Sequence, residues 1–460
     1  MTEPLPKRWP DRDAIAVVRA EADALEAGVE GAEERRLAGR VLARRDMGKL
    51  VFLDLVDRSG RIQLLCPAAR TGEVDVHLGD IVGAIGKPTK SRRGEPSLIV
   101  DRLELLARIR SPLPDTFHGL TDVEQRYRRR YLDLLMNEGT RADFILRSRM
   151  IRAIRSHLDG EGFVEVETPA LQADYGGAFA RPFATHHNEL DQELYLRIAG
   201  GELYLKRLIV GGLEKVYELA KDFRNEGVSY KHSPEFTQVE WYEAYADYRD
   251  TMERAETLVE QAAAAAIGRT KVTFRGHEVE LARPWQRVKF IEALEAKGAW
   301  SRDADELRAK LQAAGVDTGH DKTWSQLVDH AYSHFVEPEL IQPTIVHDWP
   351  IELSPFARMT DDDPAVVERF ECVVAGMEFA NAFSELNDSE EQAQRFAMQE
   401  AEREAGDVTA EEGDPDYVEA LAYGMAPTGG CGMGIDRLAM VIGEKDAIRD
   451  VILFPALRQR

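Results

Sequence analysis

Residues 11–27 (DRDAIAVVRAEADALEA) place apolar side chains three and four apart, which predicts an amphipathic helix. From Leu37 the period changes to two. RLAGRVLARR, KLVFLDLVD, GRIQLLC, DIVGAIGKP and SLIVDRLELLA read as five short strands. Turn residues separate them: Asp46-Met47-Gly48, Arg58-Ser59-Gly60 and Arg93-Gly94. Five strands within about 75 residues, behind a leading helix, predict a small Greek-key barrel of the OB type.

A Pro-bearing linker follows at 111–122, and RYRRRYLDLLMN continues in a helical pattern. Residues 141–158 read as one amphipathic helix, closed by Gly160 and Gly162. VEVETP reads as a strand stopped by Pro169, and strands are expected to dominate 194–246. From about 250 to 335 the pattern is helical, strands return at 365–386, and helices are expected at 389–405 and 415–423. A glycine-rich segment then leads into a final helix. Strands and helices without regular alternation favour a mainly antiparallel sheet flanked by helices, so the fold class is α+β. The expected domains are 1–112 (helix and barrel), 113–140 (linker) and 141–460, with a helical insertion at about 250–335. No internal repeat is present.

Composition changes this picture little. The chain has 460 residues and 44% hydrophobic positions, enough for two packed domains. No apolar run is long enough to cross a membrane, and the start MTEPLPKRWPDRDA lacks a signal-peptide pattern. Cys66, Cys372 and Cys431 form no C-x-x-C pair, which argues against a disulfide framework and a structural zinc site. A cytoplasmic protein is expected. The net charge of −23 sits awkwardly with nucleic-acid binding, which needs Lys and Arg on phosphates. Two local basic runs, Lys90 to Arg93 and Arg126 to Arg130, are either phosphate contacts or solvated faces.

Three segments carry candidate chemistry. Val216 to Tyr245 reads strand, loop, strand, with Arg224 and Glu226 at the end of the first strand and Lys231, His232 and Pro234 in the loop. On the return strand Phe236, Gln238, Glu240 and Tyr242 share one parity and project from one face. A ring, an amide, a carboxylate and a phenol make a good floor for a small polar ligand; a hairpin with a mixed face is the other reading. In Glu371 to Asp388, Ala375-Gly376 marks a turn that would bring Glu371 and Glu378 opposite each other. Facing carboxylates repel, and a hard cation such as Mg²⁺ would relieve them; two exposed rim glutamates are the reading that spacing alone favours. Asn381, Phe383 and Glu385 share the other parity, so a common site for all four requires a β-bulge near Ala380. The third segment, Gly429 to Arg437, has four glycines before a helix, which permit close backbone approach to a flat ligand. Arg437 opens that helix and suits a base or a phosphate. Neither a P-loop nor a G-x-G-x-x-G turn is present.

Together these segments resemble the signature of the class II aminoacyl-tRNA synthetases. The helix 141–158 with its strand and Pro169 is similar to motif 1, the dimer-forming motif. F-R-N-E at 223–226 with His232 and Phe236 is similar to motif 2, and G-M-G-I-D-R at 432–437 to motif 3. Nothing resembles the class I motifs. YLRIAGGELYLKRLIVGG, FRNEGVSYKHSPEFTQVEWYEAYADY and ANAFSELND look like the lysyl members, and the resemblance runs from about residue 35 to the end. It implies an anticodon-binding barrel, a catalytic domain using ATP and Mg²⁺, a homodimer formed through motif 1, and L-lysine and a lysine tRNA as partners. By that resemblance Arg224 contacts the ATP α-phosphate and the amino-acid carboxylate. Arg224 and Arg437 are the expected catalytic residues. Glu226, His232, Phe236 and Arg437 hold ATP, and Glu371 and Glu378 hold Mg²⁺ and face ATP. Gly177 and Glu202 lie near the substrate α-amino group. Glu240, Tyr242 and Glu385 surround the side-chain ammonium, with Asn381 and Phe383 completing the pocket. Phe52 and Gln63 match positions that read an anticodon base, and Arg44 and Glu95 are included with them; a buried barrel position is the other reading of Phe52.

The chain departs from the family in three places. Ala199-Gly200-Gly201-Glu202 stands where A-P-E is usual, Met377 where arginine is usual, and Pro96 where an apolar strand residue is usual. The first two are expected to bear on substrate choice and ATP handling. Three alternatives to a lysine–tRNA ligase are a paralogue activating lysine or an analogue for another acceptor, a non-catalytic RNA-binding module, and an aspartyl or asparaginyl enzyme. Retention of Arg224, Glu226, Glu371, Glu378 and Arg437 opposes the second; Glu240 and Glu385 oppose the third.

Overall fold

The computed structural model describes residues 5–114, 120–173, 176, 180–404 and 413–458. The chain divides into two compact units, Met1–Val123 and Glu124–Arg460.

In the first unit, helix α1 (Ile15–Asp23) precedes strands β1 (Arg35–Met47), β2 (Leu50–Val56), β3 (Arg61–Pro67), β4 (Ile81–Lys90) and β5 (Pro96–Ala107). They close into a barrel in the order β1-β2-β3-β5-β4. Alternation sorts the side chains: Leu53, Leu55, Ile62 and Leu64 fill the interior with Ile15 and Val18 of α1. Phe52, Asp54, Gln63 and Leu65 therefore share the outer face of β2 and β3.

The second unit is built on an eight-stranded sheet. Its strands are β6 (Val164–Glu165), β7 (Lys215–Phe223), β8 (Glu235–Ala244), β9 (Gln286–Lys289), β10 (Thr344–Pro350), β11 (Val366–Val374), β12 (Met377–Ser384) and β13 (Thr428–Gly434). The spatial order is β9-β10-β11-β12-β13-β8-β7-β6. Only the two edge pairs, β9-β10 and β6-β7, are parallel. Helices α2 (Glu138–Gly160), α4 (Tyr248–Ile267) and α7 (Ile435–Ile442) cover one face. Met150, Ile154, Leu258, Val259 and Leu438 pack there on Val239, Trp241, Cys372 and Met433. The opposite parity of the same strands carries the polar residues of the cleft.

Several expectations are corrected. The strands expected to dominate 194–246 are interrupted by helix α3 (Glu202–Val210). Gly201 takes φ +92°, which ends the extended run, and Leu203, Leu205 and Ile209 then reach an apolar cluster. VEVETP keeps only the two-residue β6. The region 250–335 also holds a hairpin, Lys271–Phe274 with His277–Glu280, and the edge strand β9. The glycine-rich segment forms the central strand β13, paired on both sides. Helix α2 begins at Glu138, inside the segment expected as linker.

The two ends of the run Arg126 to Arg130 are neither a phosphate patch nor a solvated face, although Arg129 between them is exposed. Arg130 is buried and pairs with Asp133 at 2.5 Å. Its guanidinium also donates to the carbonyls of Leu453 (2.9 Å) and Arg449 (3.0 Å). Arg126 reaches Asp133 at 2.9 Å. Aspartate and carbonyl oxygens consume the donors, so this basic run fastens the C-terminal segment.

Candidate active site

A cavity of about 330 Å³ opens on the polar face of the sheet. Phe236, Gln238, Glu240 and Tyr242 of β8 line it, as their shared parity requires. Arg224 and Glu226 enter from the loop after β7, Asn381 and Phe383 from β12, and Arg437 from the first turn of α7. Glu202, His232, Glu371 and Glu378 line the same cavity. Gly177 falls outside the described residues.

The β11–β12 hairpin explains how opposite parities reach one site. Cys372 pairs with Ala380 but Val373 pairs with Glu378, so Phe379 is the extra residue of a bulge. The bulge lies beside Ala380, where the shared site required it. It also means that Glu371 faces Asn381 and not Glu378 across the ladder. The two glutamates converge in the cavity rather than as a cross-strand pair, and Glu371 is not an exposed rim residue.

Charge is sorted along the cleft. At one end Arg437 donates to the Glu378 carboxylate at 2.9 Å and to the Glu378 carbonyl at 2.8 Å. Burial would raise Glu378, but Arg437, with Arg369 and Arg224 behind it, holds it below the ordinary carboxylate range. Glu371 goes the other way: burial and the Glu378 charge push it up to about 8, against Arg369, which donates to it at 2.7 Å. His232 is lowered to about 4 by partial burial in the cleft mouth and by Arg437 and Lys231, so its ring is neutral near pH 7. The Arg224 guanidinium lies 5.2 Å from the Phe236 ring centre, and its Nε donates to the Ile198 carbonyl at 3.1 Å.

The other end is a cluster of buried carboxylates, of which Glu202 and Glu240 line the cavity and Glu385 lies behind the lining. Glu202, Glu240 and Glu385 are 6%, 3% and 1% exposed. Glu240 Oε1 accepts from the Gly200 N–H at 2.8 Å and from Gln238 Nε2 at 2.7 Å. Burial, then Asp222 and Glu202, push Glu240 well up. Burial raises Glu385 to about 8, partly offset by Lys206. Gly430 leaves the room this pocket needs: a Cβ there would lie 2.1 Å from Glu385 Oε1 and 2.4 Å from the Tyr242 ring.

Sequence reading missed several residues. Lys206 was hidden by the strand reading of α3, although Glu202 and Lys206 stand four apart. Asp436 accepts from Arg147 (2.6 Å) and from the Thr237 N–H (2.7 Å), pinning α7 to β8. Arg369 donates to Asn381 (3.1 Å) as well as to Glu371. The departures also resolve. The Gly200 N–H is a donor that proline in the usual A-P-E would not have. Met377 is wholly buried in the core under the sheet and does not line the cavity. Pro96 begins β5, where a strand tolerates proline.

On the barrel, Phe52 and Gln63 share the outer face, and Ser97 donates to Gln63 at 3.3 Å. Arg44 does not join them. It pairs with the interior residue Leu53, and its guanidinium binds Asp46 and the carbonyls of Val74 and Val76. Arg45 pairs with Phe52 instead and holds its guanidinium 5.7 Å from that ring. Glu95 is exposed and pairs with Arg19 at 3.3 Å.

Two protein-family models match this chain. Residues 122–458 match the class II tRNA synthetases (D, K and N), and residues 36–106 match an OB-fold nucleic acid binding domain. The chain is 48% identical to the lysine–tRNA ligase of Azoarcus sp. (strain BH72), over 95% of this chain and 89% of that protein. It is 49% identical to the lysine–tRNA ligase of Shouchella clausii, over 92% of this chain and 86% of that protein. For the Roseiflexus sp. (strain RS-1) lysine–tRNA ligase the values are 47%, 100% and 95%. With a family model matching residues 122–458 and relatives 47–49% identical over most of its length, this chain belongs to the lysine–tRNA ligases of the class II aminoacyl-tRNA synthetases.

Proposed function

We propose that the cleft activates L-lysine with ATP and that the lysyl group then passes to the 3′ end of a lysine tRNA. The observation that carries the amino-acid choice is the buried trio Glu202, Glu240 and Glu385. A dicationic amino acid satisfies it. A neutral side chain of similar length leaves buried charge unpaired, at a cost of about 2–5 kcal/mol.

The substrate carboxylate is already an anion, so attack on the α-phosphorus needs no general base. Arg224 lines the same cavity as Glu202, Glu240 and Glu378, and there it would hold both reactants in line and stabilise the charge that builds on phosphorus. Arg437 covers the purine on the face opposite Phe236, and Glu226 and His232 line the mouth. His232, being neutral, acts as a hydrogen-bonding group and not as a cation.

Glu371 and Glu378 fit Mg²⁺. Among the described residues no three His, Cys, Asp or Glu side chains have metal-holding geometry. Two carboxylates completed by phosphate oxygens is the usual Mg²⁺ arrangement at a nucleotide. The raised Glu371 beside Glu378 also marks a repulsion that a cation removes. When bound, Mg²⁺ would neutralise phosphate charge; Arg369 keeps Glu371 oriented for it.

For tRNA, Phe52 supplies a stacking platform and Gln63 a base-edge partner on the barrel's outer face. We place Arg45 beside them in place of Arg44. Pairing of two copies through motif 1 belongs to the same proposal, with Ile145 of α2 exposed to take part. No described helix is long and apolar enough to cross a membrane; the cytoplasm is the proposed location.

Lysine-dependent ATP–pyrophosphate exchange, measured across the amino acids plus ornithine and β-lysine, tests this reading. Exchange with lysine and charging of lysine tRNA are expected. Exchange with another amine, or with lysine but no charging, would assign the chain to the paralogue reading. That reading draws on one observation, the added Gly200 donor to Glu240.

A pH dependence follows from Glu385, raised to about 8. It must be ionised to receive an ammonium, so lysine KM is expected to fall as pH climbs from about 6 to about 8. The linked stability has the opposite sign. The protonated carboxyl favours the empty fold fully below its ordinary 4.5, and that contribution is lost as pH rises through about 8. Lysine KM measured across this range checks it; a flat profile would refute the assignment of Glu385.

A further inference from the structure

Lys206 is 0% exposed, yet it carries an ammonium on the floor of the carboxylate pocket. Its Nζ donates to Glu202 Oε1 at 2.6 Å and lies 2.6 Å from Glu385 Oε2. Aromatic rings close the remaining sides: Nζ is 4.8 Å from the centre of Phe356, 5.8 Å from Tyr242 and 5.9 Å from Tyr417. α3 makes this possible by placing Glu202 and Lys206 one turn apart on the same face.

We propose that Lys206 is a positioning residue that sets the charge of the lysine pocket, so that an amino acid carrying two ammonium groups is the ligand that balances it. The inference rests on the lysine-activating reading above. With Glu240 and Glu385 ionised, as an incoming ammonium requires, Glu202, Glu240 and Glu385 contribute three negative charges and Lys206 one positive charge. The difference, 3 − 1, leaves two negative charges for the substrate α-ammonium and side-chain ammonium. The substrate carboxylate is matched separately by Arg224.

Orientation follows from the same contacts. Lys206 engages one oxygen of Glu202, which lines the cavity, and one of Glu385, which packs behind it. Glu240 Oε2 and both Glu385 oxygens are buried without a hydrogen-bond partner, Glu385 Oε2 having only its ion pair with Lys206. A buried acceptor left unpaired is costly unless a ligand supplies the donor. The aromatic box stabilises the Lys206 cation through its ring faces and keeps water from screening the pair. Burial alone would strip the proton from Lys206, but Glu202 and Glu385 raise it well above an ordinary lysine, so the charge is permanent.

The test is exchange kinetics on the full-length enzyme with lysine and ATP titrated separately. Lys206→Met is expected to raise lysine KM about 30-fold or more, because Glu202 and Glu385 lose their shared cation. ATP KM should stay close to wild type, which separates this effect from general damage. In Lys206→Ala, added ethylammonium should restore the lysine KM saturably, since it can refill the aromatic box. Lys206→Arg keeps the charge and serves if Lys206→Met does not fold; its lysine KM should stay within about tenfold of wild type. Overturning results are an unchanged lysine KM in folded Lys206→Met, equal rises in both KM values, no response of Lys206→Ala to ethylammonium, or a folded Lys206→Arg that no longer binds lysine. Wild-type enzyme without lysine-dependent exchange would instead refute the lysine reading itself.

Discussion

Replacing Gly430 with alanine is expected to raise lysine KM by about 100-fold, the scale of a small misplacement in a preorganised site. β13 is held by ladders to β8 and β12, so its backbone cannot step aside. The added Cβ would meet Glu385 Oε1 at 2.1 Å and the Tyr242 ring at 2.4 Å. Glu385 is tied to Lys206 and Tyr242 is buried, so neither moves without dismantling the ammonium site. Overpacking should also cost about 1–3 kcal/mol of stability. Lysine and ATP titrations with a thermal melt would measure both effects. A normal lysine KM would show that the side-chain ammonium binds elsewhere.

The second large effect is expected at Arg224. Arg224→Ala should lower kcat for exchange by about 10²–10³, the usual cost of removing one donor to developing charge. Arg224→Lys should recover little, because a point charge cannot serve two oxyanions in a planar fork. Stability should change little, since Arg224 has one backbone hydrogen bond, to Ile198. Pre-steady-state adenylate formation would isolate the chemical step. A loss confined to lysine KM would reassign Arg224 to substrate binding alone.

The legibility of this site varied with how local its causes were. The face shared by Phe236, Gln238, Glu240 and Tyr242 depended only on strand parity, so its residues were readable along the chain. The bulge beside Ala380 was readable as well, because Glu378 and Asn381 could not share a site without it. Lys206 was not readable. In ELYLKRLIV the apolar residues suit a helix or a strand, and Gly201 decided between them through a backbone angle that no side-chain pattern reveals. The run Arg126 to Arg130 misled for a related reason. Its partners are carbonyls more than 300 positions away, such as those of Arg449 and Leu453. Arg44 and Arg45 were separated by one step of register, which a bulge between Val41 and Ala43 sets.

By itself the sequence determined the order of elements in the barrel, the antiparallel character of the catalytic sheet, and which residue types gather in the cleft. Periodicity of two and hydrogen-bonding chemistry are properties of short segments, and motif spacing carries them. Tertiary structure alone decided the sign and balance of charge in the pocket. Glu202, Lys206, Glu240 and Glu385 come from three separate stretches, and only their burial together, away from water's screening, turns four ordinary surface-type residues into a counted set of charges.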